Sequence, residues 1–201
     1  MRNDFDVRGR PERGFSLVEL LVVVAIIAIL AAVALPNIGQ YIRNYHIKGA
    51  TQAFASSVGA ARSKGIMTNT NAGVSLVIVD FDSYRWVQED LPAAEQLGPM
   101  QELPASVRFV VTATANATTS LRFNRLGGFC TPGVSGCAAA VPSATVCAGA
   151  DASRCTTDKD ADFFEPDPDM AGGARVTLLE PTTGLRRTVR IAPGGRVLPQ
   201  P

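Results

Sequence analysis

The chain has 201 residues, 46% of them hydrophobic and 18% charged, with a formal net charge of +1. That length holds one domain with an appendage, and the near-neutral balance excludes the strongly basic composition that marks many nucleic-acid binders. A single histidine, His46, leaves Ser-His or Cys-His catalysis without its base, and no G-x-x-x-x-G-K phosphate cradle is present, so the composition reads as a non-enzyme with no cofactor.

In chain order, the first feature is "RGFSLVELLVVVAIIAILAAVALP", Arg13 to Pro36. Leu20 to Leu35 is a run of sixteen apolar residues. As a helix, Phe15 to Leu35 is about 31 Å long at 1.5 Å per residue, enough to cross a hydrocarbon core. Arg2, Arg8, Arg10 and Arg13 precede the run, against Arg43 and Lys48 in the fifteen positions after it. The positive-inside rule then keeps the N-terminus cytoplasmic and places the body outside. Glu19 is a carboxylate inside this apolar stretch, and a charge at such a place is costly enough to demand a function. A secretory signal cut after Ala32-Val33-Ala34 is the competing reading, but the run is long and the helical spacing continues past Pro36.

Gly14-Phe15-Ser16-Leu17-Val18-Glu19 resembles the class III signal of type IV pilins and pseudopilins: a short basic leader ending in Gly, then Phe, with Glu fifth in the mature chain. The resemblance implies that a membrane prepilin peptidase cuts after Gly14, removes residues 1–14, methylates the Phe15 amine and leaves the helix attached. It implies that Glu19 is an assembly carboxylate paired with the amine of a neighbouring subunit. Loss of four arginines and three acids with the leader leaves fifteen of each sign.

After residues 15–36, the transmembrane and assembly helix, the spacing becomes periodic. Ile38, Tyr41, Ile42, Tyr45, Ala50, Ala53, Phe54, Ser57, Val58 and Ala61 recur at three- and four-residue steps, predicting an amphipathic half over residues 37–66 with this face on a core. Pro36 and Gly39 predict a helix break, as a kink or melted turn, and Gly65 a stop. His46 falls on this stem as a surface or packing residue.

Residues 67–201 read as a β-rich domain. "GVSLVIVD" (73–80) and "SYRWVQ" (83–88) are predicted neighbouring strands joined at Asp80-Phe81-Asp82, followed by strands at 107–115 and 120–124. "RVTLLE" (175–180) and "LRRTVRIA" (185–192) flank Pro181-Thr182-Thr183-Gly184 as a hairpin. Residues 127–169, rich in small, Pro and acidic residues, read as a decorated loop. The strand ending at Phe123, the Gly127 turn, the hairpin and Gly194-Gly195-Arg196 resemble the C-terminal domain of the GspH/FimT branch of minor pilins. The fold expected is therefore α+β and pilin-like, a long N-terminal helix packed on an antiparallel sheet.

Three constellations remain. Cys130, Cys137, Cys147 and Cys155 all lie in the loop, an even number that suits an extracytoplasmic disulfide framework, with Cys130–Cys137 and Cys147–Cys155 the expected pairs of three possible connectivities. No C-x2-C zinc spacing occurs. Asp158, Asp160 and Asp162 make D-x-D-x-D, the chemistry of a calcium loop, although Phe163 stands where an EF-hand needs Gly; a solvated acidic stretch is the favoured reading. Arg186, Arg190 and Arg196 are candidates for a phosphate contact, against the alternative of contact with an acidic neighbouring subunit or the chain's own acidic loop. Some FimT-like pilins that act in DNA uptake use Gly-Arg-x-Arg here, whereas this chain has Gly195-Arg196-Val197-Leu198.

The resulting expectation is a minor pilin: membrane-stored and single-pass, with a periplasmic body, handled by prepilin peptidase and an inner-membrane assembly platform, and joined to other pilins through its helix. Two alternatives stay open, a GspH-type pseudopilin of type II secretion and a FimT-like DNA-binding pilin.

Overall fold

The computed structural model describes residues 14–68, 73–88, 97–112, 119–129 and 162–199. Gly14 to Ser16 lead without regular structure into α1, Leu17–Thr68. Two compact units divide the chain, Met1–Tyr41 and Ile42–Pro201. The first holds the apolar part of α1, and the second holds the rest of α1 with the strands of the described residues.

The helix stays helical through Pro36 and Gly39, so the melted turn expected there is absent; one missing N–H does not end a run of this length. Gly65 does not stop it either. A side chain at Gly65 would meet the Phe123 carbonyl oxygen at 3.2 Å, so this glycine serves close packing, and α1 runs three residues further to Thr68.

Within the second unit, Ile47, Ala50, Thr51, Phe54, Val58, Ala61 and Gly65 form the buried face of α1, at the three- and four-residue steps of one helical stripe. Thr51 is accommodated there by donating its hydroxyl to the Ile47 carbonyl at 2.7 Å. The upstream part of the predicted stripe is corrected: Ile38, Tyr41, Ile42 and Tyr45 are exposed, as is Ala53. Periodicity identified an apolar side of the helix without showing where the packed body begins.

Among the described residues nine strands form two antiparallel sheets. The first sheet has β1 (Val74–Asp80), β2 (Ser83–Gln88), β3 (Gln101–Glu102) and β5 (Ser120–Phe123), ordered β3-β2-β1-β5. The second has β4 (Arg108–Phe109), β7 (Ala174–Glu180), β8 (Leu185–Ile191) and β9 (Val197–Pro199) in the order β4-β7-β8-β9, with β6 (Glu165–Pro166) also on β7. The predicted strand at 107–115 contracts to β4 plus a bridge from Thr112 to Asp162 among the described residues.

Alternation fixes which face each strand buries. Along β7, Ala174, Val176, Leu178 and Glu180 are buried and the residues between them half-buried. Val189 and Ile191 of β8 continue the same inner face. From the first sheet come Val74, Leu76, Ile78, Leu121 and Phe123, and one core joins both sheets to α1. Phe54 is at its centre, with ring centroids 5.1 Å from both Tyr84 and Phe109 and 6.3 Å from Phe164. A smaller cluster of Val77, Val79, Val87 and Leu97 covers the other side of the first sheet.

Candidate functional site

The N-terminal segment is built around one cap. Ser16 precedes the helix and its hydroxyl accepts the Glu19 amide N–H at 3.2 Å, while its carbonyl accepts from Leu20 N at 3.2 Å. Ser16-x-x-Glu19 is the pattern of a capping box, with serine at the N-cap and glutamate three residues on. Glu19 therefore lies in the first turn, where the positive end of the helix dipole favours a carboxylate. The Gly14–Phe15 bond lies outside the helix in an exposed, irregular stretch, open to a peptidase. Beyond it, every residue from Leu17 to Leu35 is exposed, so an apolar cylinder presents itself on all sides. It is long and apolar enough to cross a membrane.

The Gly127 turn and Gly194-Gly195-Arg196, singled out by sequence, meet in space. Arg62 of α1 donates its Nε–H to the Gly127 carbonyl at 3.0 Å. Gly195 has φ 73° and packs so closely that an added Cβ would lie 2.3 Å from the Gly127 oxygen and 2.7 Å from Arg62 Cδ. Only glycine satisfies both the left-handed backbone and that approach. The contact ties the turn after β5, the β8–β9 turn and α1 together.

The three arginine candidates are not brought together. Arg190 makes a bidentate pair with Asp167, Nε to Oδ2 at 2.5 Å and Nη2 to Oδ1 at 2.8 Å, and reaches Asp169 at 3.4 Å. Burial pushes the Asp167 carboxyl up, but the Arg190 hydrogen bonds and charge outweigh it, leaving its pKa below the ordinary range. Beside this pair across β7 and β8, Arg175 donates to Glu165 at 2.7 Å. Arg190 is thus half of an internal ion pair with the chain's own acidic stretch, the alternative weighed against a phosphate contact. Arg186 is exposed near the start of β8 and Arg196 in the turn beyond its end, opposite Ala192 and so about 20 Å away at 3.3 Å per residue. What Arg186 does share a row with is Arg108, because both are Cα partners of Leu179. Cross-strand partners lie on one face, so these two exposed arginines flank a half-buried leucine, without an ion-pair partner among the described residues.

Of the calcium candidates, Asp158 and Asp160 lie outside the described residues, and Asp162 uses its carbonyl to accept the Thr112 N–H at 2.8 Å. All four cysteines lie outside them too. His46 is exposed, with Nδ1 3.2 Å from Ser106 Oγ.

Residues 9–35 match the family described as the prokaryotic N-terminal methylation motif. The chain carries a type IV pilin-like prepilin signal. No curated protein and no solved structure matches the chain. The matched residues cover the leader end, the Ser16 cap, Glu19 and the apolar run to Leu35, so the described geometry and the family match concern the same segment. Together they fit a single-pass, membrane-anchored pilin-type subunit.

Two structural residues escaped sequence reasoning. Glu180 is fully buried and accepts from Thr183 N at 2.6 Å, Thr182 N at 3.2 Å and the Thr183 hydroxyl. Those Thr183 and Thr182 hydrogen bonds hold its carboxyl below the ordinary range against the opposing effect of burial. Glutamate immediately before Pro-Thr-Thr-Gly was the available signal. Arg108 had none, because its neighbour Arg186 lies far along the chain.

Proposed function

We propose that the chain is a minor pilin of a type IV pilus: made as a prepilin, cut after Gly14 by prepilin peptidase, methylated at Phe15, stored in the inner membrane and assembled through α1. The observation that carries this reading is the joining of the methylation motif to a helix whose apolar half is exposed on every side. A surface of that kind is stable only in lipid or against other apolar helices. In the membrane the body faces the periplasm. In the fibre the same stripe is covered by the helices of other pilins, with the β-rich body outside.

Glu19 has a part in both states. In the stored subunit the helix dipole and the Ser16 cap favour its position, and in the fibre it receives the methylated amine of a neighbour and sets the register of docking. The test is Glu19→Ala in the producing cell, with sheared fibres and membranes probed separately. The expected result is a processed subunit that accumulates in membranes and is lost from fibres. Normal incorporation of that variant refutes the role.

A further inference from the structure

Tyr41 and Tyr45 have helical spacing that suits a core, yet they are 71% and 68% exposed, one turn apart on α1. Lys48 follows seven residues after Tyr41, about two turns on, and so stands on the same side of the helix. Lys48 is exposed as well. Along this stripe the chemistry runs from apolar Ile38 through two phenols to a cation, the order found where a membrane helix leaves hydrocarbon for the headgroups.

Length agrees with that order. With Glu19 at one edge of the bilayer, a hydrocarbon core of about 30 Å extends from Leu20 to about Gln40 at 1.5 Å per residue. Tyr41 then lies at the opposite edge, Tyr45 about 6 Å beyond it and the Lys48 backbone about 10 Å beyond it, within reach of phosphates for a flexible lysine stem.

Resting on the membrane-spanning reading above, we propose that Tyr41, Tyr45 and Lys48 are an interfacial belt that binds the anionic lipid surface opposite the Gly14 end and fixes how deeply the stored subunit sits. Charge selects lipid over a second copy of the chain. No carboxylate occurs between Glu19 and Asp80, so this stretch of the stem carries only Arg43, Lys48, Arg62 and Lys64. Two copies side by side here would oppose like charges, whereas phosphates oppose these cations with the right sign. Arg43, nearly opposite Tyr41 around the helix, has an Nε shielded from solvent and without a hydrogen-bond partner among the described residues.

The test places an added tryptophan at Tyr41, Tyr45 or Ile27 of the full-length chain. Each variant is reconstituted in phosphatidylcholine–phosphatidylglycerol vesicles whose acyl chains carry bromine at a shallow or a deep position. The unsubstituted chain, with Trp86 alone, gives the baseline. Tyr41→Trp and Tyr45→Trp are expected to be quenched about twofold more by shallow than by deep bromine, and Ile27→Trp the reverse. Quenching of Ile27→Trp without any of Tyr41→Trp and Tyr45→Trp overturns the belt while leaving the span intact. Loss of quenching at all three positions overturns the membrane reading itself. Shallow quenching that weakens as protein is added at fixed lipid overturns the lipid assignment in favour of a second copy.

Discussion

Replacing Phe54 by Ala removes the side chain that joins α1 to both sheets. Phe54 is fully buried against Tyr84, Phe109 and Phe164. A buried phenylalanine covers 150–250 Å², which at about 25 cal/mol per Å² is roughly 4–6 kcal/mol of transfer energy, and measured Phe→Ala losses in cores are about 3–5 kcal/mol. For a unit of this size, with a shift of about 2–4 °C per kcal/mol, the melting temperature should fall by roughly 6–20 °C. The assay is thermal and urea unfolding of the full-length chain in mild detergent, followed by Trp86 fluorescence, since Trp86 lies on β2 within the second unit. Tyr45→Ala is the matched control: the same periodic stripe predicted it for the core, but it is exposed, and its loss should stay within about 0.5 kcal/mol. A loss below about 1 kcal/mol for Phe54→Ala, or equal losses for the two variants, refutes the assignment of the packed face.

Acid should destabilise the second unit through two carboxylates. Asp167 and Glu180 have folded pKa values below their ordinary values, so their stabilisation is present above the unfolded pKa, about 4, and is lost as pH falls through the lower folded values. Asp167→Asn and Glu180→Gln should lower stability at neutral pH and flatten the acid limb of a melting-temperature profile measured from pH 7 to pH 2; an unchanged slope in both contradicts the pairing. Gly98→Val should disturb Trp86, because a Cβ at position 98 would lie 2.3 Å from the indole ring while Lys64 Nζ sits 3.3 Å from its centroid. A changed emission spectrum is the expected readout, and an identical spectrum with unchanged stability contradicts that contact. Non-reducing peptide mapping should recover Cys130 linked to Cys137 and Cys147 linked to Cys155; any crossed pair refutes this connectivity.

Local signals made much of this fold legible. The helix over residues 15–66 could be read because its unbroken apolar run and the periodic stripe after it are internal to the segment, and the hairpins at Asp80–Asp82 and Pro181–Gly184 because their turn residues stand between alternating runs. The S-x-x-E cap was also present in the sequence, hidden under the processing motif that shares its residues. Long-range choices were not legible. Tyr45 and Phe54 obey the same spacing, and only the position of the two sheets leaves one out and takes the other in. The partition into two sheets depends on β4 joining β7 across nearly seventy residues, and strands as short as β3, β6 and β9 carry too few residues for a period. An acidic-loop contact was open to Arg190 from charge alone, but its partner Asp167, twenty-three residues away, was not legible, and Arg108 and Arg186 became neighbours through Leu179 alone.

The central claim is a processed, retained helix, and mass spectrometry of the N-terminal peptide from membrane-extracted protein tests it most directly. The account predicts a chain that begins at Phe15, carries one methyl group on its amine and keeps the Leu20–Leu35 run. A chain beginning at Leu35, as after an ordinary secretory cleavage, or one still carrying residues 1–14 in assembled fibres, contradicts it.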